Sequence, residues 1–209
     1  MEERKIAFVL KKLNHANSYV PVLTMNEGKR NLIFRKIFFG IKICPGMLIS
    51  FTKIEQNQNW LCLDVEILAC FVNNSYSDIC FIHHILEICY YFAPYHKPCV
   101  EVFAFLCDTL TFMRKHDISH NFLLVHKVFV IKLLSMFGFC SYNKISRCLA
   151  VYDKLTFSFI DFTHAQKLEF LKNQLASIDE KDLDVLIMEG LREHPNFCSF
   201  KTLAFLYGS

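Results

Sequence analysis

Glycine and proline are scarce, six and five among 209 residues, which excludes a collagenous or low-complexity chain. No stretch is both long enough and clean enough to span a bilayer. The best candidate, Phe122 to Phe139, carries His126, Lys127 and Lys132. No secretory signal is expected, because Met1-Glu2-Glu3-Arg4-Lys5 is charged and Lys11-Lys12 cut short the apolar run Ile6 to Leu10. The phosphate-cradling G-x-x-x-x-G-K-[ST], the dinucleotide G-x-G-x-x-G and the hydrolase G-x-S-x-G are all missing. C-x-x-C is missing too. Cys140 and Cys148, eight apart, fit no common zinc spacing. A net charge of +3 is too small to mark a nucleic-acid binder by itself.

What the chain does contain is apolar residues, 53% of the total, with 22 Phe and ten Cys. That share argues against disorder and supplies a sizeable core, in one large domain or two small ones. The Cys are spread among Phe, Ile and Leu. They read as reduced core thiols of a cytoplasmic protein.

The first third reads as strands: Ile6 to Leu10, Tyr19 to Met25, Asn31 to Ile43, Met47 to Ile54 and Trp60 to Val65. Asn26-Glu27-Gly28-Lys29, Pro45-Gly46 and the polar cluster Glu55 to Asn59 read as turns, and Gly40 as a bulge or bend. Five short strands suit a small closed barrel of the OB type, with a sandwich or an SH3-like barrel as alternatives. After about residue 73 the period becomes helical. Ser77 or Asp78 is placed to cap a helix that Pro94 stops, and a second starts near Pro98 and ends at Arg114-Lys115-His116. A third, from Ser119 to Phe137, is apolar almost all round, so it is expected to be a central buried helix, with Gly138 as its stop. A short helix over Lys144 to Leu149, an extended Phe157 to Phe162, and helices over Thr163 to Ser177, Lys181 to Arg192 and Pro195 to Tyr207 complete the chain. The expected fold is therefore α+β. An OB-type barrel over residues 1–72 precedes an all-α helical bundle over 73–209.

Charge is unevenly spread. Between Leu10 and Trp60 eight basic residues face two acidic ones, whereas from Val151 onward nine acidic residues outnumber six basic. The cations of the strand region are interleaved with Tyr19, Phe34, Phe38, Phe39, Phe51 and Trp60. Cations that neutralise phosphates beside rings that stack on bases are what single-stranded nucleic acid requires. The competing reading is that these rings fill the barrel and the charges merely solvate it. Constellations for catalysis are weak. His116 and His120 flank a helix boundary and read as solvated, and one of His83-His84 is expected to be exposed. Glu87 and Glu101 read as solvated or capping carboxylates. No metal site, cofactor or catalytic set is expected.

The order of elements resembles the bacterial RecO family of recombination mediators. Gly28-Lys29-Arg30 resembles its strand turn followed by basic residues. Pro45 to Phe51 and Trp60 to Ile67 resemble its last barrel strands. Ile85 to Cys89 with Pro94, Val102-Phe103 and Leu106 to Leu110 look like its helix pair. Leu133-Leu134 ahead of Gly138-Phe139 is similar to its apolar helix and stop, with Cys148 near a family Cys. The zinc-binding C-x-x-C pairs of some members are absent, and the tail from Val151 is poorly matched.

The resemblance implies a non-enzymatic DNA repair and recombination protein. Such a protein binds single- and double-stranded DNA, anneals strands, and helps load recombinase onto DNA coated with single-strand-binding protein, together with a RecR-like partner. The phosphate surface then falls on Lys29, Arg30, Arg35, Lys36 and Lys42. A groove between apolar helices near Lys127 and Lys132 would take the acidic tail of single-strand-binding protein. Two alternatives stand beside this: a non-catalytic protein-interaction module without nucleic acid, and an enzyme whose site gathers Cys, His and carboxylates in space.

Overall fold

The computed structural model describes residues 3–12, 19–34, 43–56, 59–70, 75–115, 122–140, 142–157, 169, 173 and 180–200. The fold is mixed α+β. Among the described residues, five strands precede five α-helices: β1 (Glu3–Val9), β2 (Tyr19–Thr24), β3 (Gly28–Phe34), β4 (Leu48–Gln56), β5 (Asn59–Ala69), α1 (Tyr76–Phe92), α2 (Val100–Lys115), α3 (Phe122–Met136), α4 (Tyr142–Phe157) and α5 (Glu180–Arg192). The chain divides into two compact units, Met1–Arg114 and Lys115–Ser209. α1 and almost all of α2 therefore fall in the same unit as the strands.

In the first unit the strands close on themselves in the order β1-β2-β3-β5-β4. Neighbours are antiparallel except β3 and β5, which run parallel through Leu32–Trp60 and Phe34–Cys62 pairs. Alternation sends Ala7, Val9, Val22, Leu32, Ile49, Phe51 and Trp60 inward, where each is buried. Lys5 and Arg30 continue the inward rows of Ala7–Val9 and Leu32–Phe34 toward one end of the barrel.

The β2–β3 turn explains why two helices join this unit. Thr24 Oγ1 accepts from the Glu27 N–H at 3.3 Å and donates to the Gly28 carbonyl at 3.1 Å. Gly28 adopts φ +64°, and a Cβ there would lie 2.1 Å from the Lys97 carbonyl oxygen. Only glycine allows both the dihedral and the approach. The loop between α1 and α2 is then stitched on by backbone bonds, Lys29 N–H to the Pro94 carbonyl at 3.0 Å and Cys99 N–H to the Met25 carbonyl at 2.9 Å.

Element limits shift where local chemistry wins. The cap of α1 is Ser75 rather than Ser77 or Asp78: its Oγ accepts from the Asp78 N–H at 3.1 Å. β3 begins at Gly28, ahead of the expected Asn31, because the turn is tight. The expected Gly40 bend lies outside the described residues, as do His116, His120 and nearly all of the helix expected over Thr163 to Ser177.

In the second unit α3 packs against α4 and α5. Val125, Val128, Phe129, Ile131, Leu133 and Leu134 are buried, as an all-round apolar helix requires. Gly138, at φ +82°, ends it in a Schellman arrangement. The Phe139 N–H reaches the Leu134 carbonyl and the Gly138 N–H the Ser135 carbonyl, both at 3.0 Å. α4 extends well beyond the expected Lys144 to Leu149 and takes Phe157 into the helix.

Candidate nucleic-acid interface

Of the basic residues expected to hold phosphate, Arg35, Lys36 and Lys42 lie outside the described residues. Lys29 is a correction. It points out of the barrel but is 5% exposed, covered by the end of α1 and the loop after it. Its ammonium donates to the Tyr90 carbonyl and sits 5.2 Å from the Tyr90 ring centroid and 4.3 Å from that of Tyr95. Burial pushes its pKa down to about 8, against the opposing influence of Cys99 and Cys89. Lys29 thus lies beneath two aromatic rings and is not displayed to solvent.

Arg30 is half-buried and ion-paired. Glu27, in the β2–β3 turn, reaches Arg30 at 2.8 Å, Lys5 at 3.2 Å and Lys53 at 3.2 Å. Arg30 and Lys53 also lie over the buried Trp60 ring, 4.9 and 4.6 Å from its centroid. Burial raises the Glu27 pKa, but hydrogen bonds and charge from Lys5 and Lys53 outweigh it, so the carboxyl sits below its ordinary value. Several strand-region cations thus spend their charge on one carboxylate. The rings interleaved with these cations follow the competing reading. Phe51 and Trp60 fill the barrel, while Phe38 and Phe39 lie outside the described residues.

Two tyrosines of this unit face solvent among the described residues, Tyr76 at the start of α1, 67% exposed, and Tyr95, 47% exposed. Tyr95 lies in the loop Pro94 to Pro98, and its backbone bridges to Gly28 and Lys29. The next residue, His96, holds φ +59°, a left-handed conformation uncommon for a side chain with a Cβ. Tyr95 and His96 form one wall of an open cleft of about 370 Å³, completed by Arg30, Asn31 and Asn59. Nearby, the exposed Lys11 places its ammonium 4.6 Å from the Tyr90 ring centroid. A half-exposed ring, two amides and an imidazole therefore line a cleft beside β3 that Arg30 also borders. Chemically this surface can stack a planar group, hydrogen-bond its edge and attract an anion.

Tyr95, His96, Asn59 and Lys11 were not among the expected site residues. The signal was present: an aromatic and two polar residues bracketed by Pro94 and Pro98 make a constrained loop that displays its side chains.

Lys127 and Lys132 are placed in the second unit and do not form an open cationic groove. Lys127 is 5% exposed and pairs with Asp184 of α5 at 2.7 Å, while Lys132 reaches Asp153 of α4 at 3.7 Å and lies over Tyr152. An incoming acidic tail would have to displace an internal carboxylate at either. Among the described residues no three His, Cys, Asp or Glu gather as a metal site, and no helix is long and apolar enough to cross a membrane. His83 is exposed and His84 fully buried, where desolvation pushes its pKa down to about 3.

No protein-family model matches the chain, and no curated protein matches it either.

Proposed function

We propose that the chain is a non-catalytic nucleic-acid-binding protein whose first unit takes single-stranded DNA along the β3 face of an OB-type barrel. The ring order with a parallel β3–β5 pair supports the OB reading, since such barrels bind oligonucleotides on their second and third strands. The single observation that carries the function is the cleft in which the exposed Tyr95 ring stands beside Arg30, Asn31 and Asn59. Stacking is sequence-tolerant and worth about 1–3 kcal/mol per base, and cations at the rim add a salt-dependent attraction. A role as a recombination mediator, annealing strands with a RecR-like partner, is the biological form of this reading suggested by the resemblance to RecO. The docking place of a single-strand-binding-protein tail is not assigned to Lys127 and Lys132, because both already hold carboxylates.

The test is anisotropy of a labelled single-stranded oligonucleotide at two salt concentrations, with the protein and its Tyr95→Ala variant. Binding that weakens with salt and with the substitution supports the reading, and no binding at low salt overturns it. The protein-interaction alternative has its own observation. Ile6, Ile54, Ile67 and Leu68, on the neighbouring strands β1, β4 and β5, are each more than two-fifths exposed. Absence of DNA binding would favour it.

A further inference from the structure

We infer that Lys11, braced against the Tyr90 ring, holds a backbone phosphate of the strand whose base stacks on Tyr95, so that charge neutralisation and stacking fall to different residues of one surface. This rests on the nucleic-acid reading above and deepens it by naming a phosphate contact.

The cations of the first unit differ in what they face. Lys5, Arg30 and Lys53 converge on Glu27, and Arg4 pairs with Glu66. Lys29 is buried beneath rings. Lys11 is exposed, and its ammonium lies 4.6 Å from the centroid of the neutral Tyr90 ring. A ring face orients a cation without cancelling its charge, so Lys11 still presents a full positive charge to solvent.

The surroundings favour an anion. Tyr90 and Tyr95 flank the Lys29 ammonium, so Lys11 stands over the first ring of a pair whose second lines the cleft. Burial, and then the Tyr19 phenol, hold the Tyr90 hydroxyl above its ordinary pKa. Burial, and then Tyr90 and Tyr19, do the same for Tyr95. Both hydroxyls therefore keep their protons at neutral pH and remain able to donate. The segments that build this surface, residues 4–26 and 88–100, contain no Asp or Glu. The phosphodiester beside a base stacked on Tyr95 matches this chemistry, because it brings one negative charge and oxygens that accept from ammonium and phenol alike.

The experiment measures the salt dependence of binding to an oligothymidylate of about 15 nucleotides, a length within the reach of one such barrel. It uses the intact protein, Lys11→Gln, Lys11→Arg and, as a control that removes a paired cation of the same unit, Arg4→Gln. Losing one phosphate contact on a single strand flattens the slope of log affinity against log salt by about 0.7. Lys11→Gln is expected to show that change together with weaker binding at low salt. Lys11→Arg is expected to keep the slope, as is Arg4→Gln. An unchanged slope in Lys11→Gln overturns the phosphate contact and leaves the stacking surface standing. Equal flattening in Arg4→Gln also overturns it, since the effect would then belong to net charge and not to this site. No binding by the intact protein at low salt overturns both readings.

Discussion

The Lys29 ammonium lies 4.3 Å from the centroid of the Tyr95 ring and donates to the Tyr90 carbonyl, so a cation from β3 supports an aromatic surface from beneath. A positive charge against one face of a ring leaves the other face available for stacking. The expected effect of Tyr95→Ala is a loss of roughly tenfold in affinity for single-stranded DNA, set by the stacking of one base. Tyr95→Phe should retain most of the affinity, since the face and not the hydroxyl is used. Fluorescence anisotropy on both variants checks this, with thermal melts showing that the fold is kept.

Lys29 itself should be dispensable for phosphate binding. Lys29→Met keeps the side-chain volume and removes the buried charge, and the salt slope of DNA binding is expected to stay unchanged. Its effect on stability is pH-dependent. The folded pKa, about 8, is below the ordinary 10.5, so between those values the unfolded chain binds more protons at this site. The stability of the wild type relative to Lys29→Met should therefore rise as pH increases from about 8 to about 10.5. Denaturant melts of the pair across that window give the sign.

Glu27 restrains the cations around Trp60. Glu27→Gln is expected to lower thermal stability and to raise affinity for single-stranded DNA several-fold at low salt, because Arg30, Lys5 and Lys53 lose a shared counter-charge. Since the folded pKa of Glu27 is depressed, its stabilising share is present above the ordinary carboxylate pKa. It is lost as pH falls through the folded value. Wild type and Glu27→Gln should thus converge in stability under strongly acidic conditions, as acid melts would show.

Gly28→Ala should cost more than about 2 kcal/mol, since it combines a left-handed dihedral with a clash against carbonyl oxygens of the α1–α2 loop. The same substitution would disturb Tyr95, so DNA affinity should fall with stability. Chemical denaturation and anisotropy on one preparation test the linkage.

In the second unit, Asp184→Ala is expected to destabilise more than Lys127→Met. Removing the carboxylate leaves a nearly buried ammonium without that charge, whereas methionine replaces the buried cation with apolar volume. Neither change should alter DNA binding if the interface is confined to the first unit. Paired urea melts and anisotropy decide both points.

Much of this architecture was legible from residue pattern. Ile6 to Leu10, Tyr19 to Met25 and Trp60 to Val65 carry strand propensity between clear turns, and Gly138 marks a helix end through its dihedral freedom alone. Burial of a cation was not legible. Nothing next to Lys29 in the sequence says that Tyr90 and Tyr95 fold over it, because those contacts span sixty residues. Charge counting across Leu10 to Trp60 missed that Glu27 gathers Lys5, Arg30 and Lys53, since pairing depends on barrel closure. Pro94 is legible as a helix stop, but the sequence reading assigns no role to Tyr95 and His96 after it. Their part in the cleft emerges when the β2–β3 turn docks on their loop.

The most direct test of the nucleic-acid assignment is the salt dependence of single-stranded DNA binding by the intact protein. The expected slope of log affinity against log salt is about −2, corresponding to roughly three neutralised phosphates, with Tyr95→Ala lowering affinity but keeping the slope. A chain that shows no binding at low salt, or binds equally well with and without the Tyr95 ring, contradicts the account.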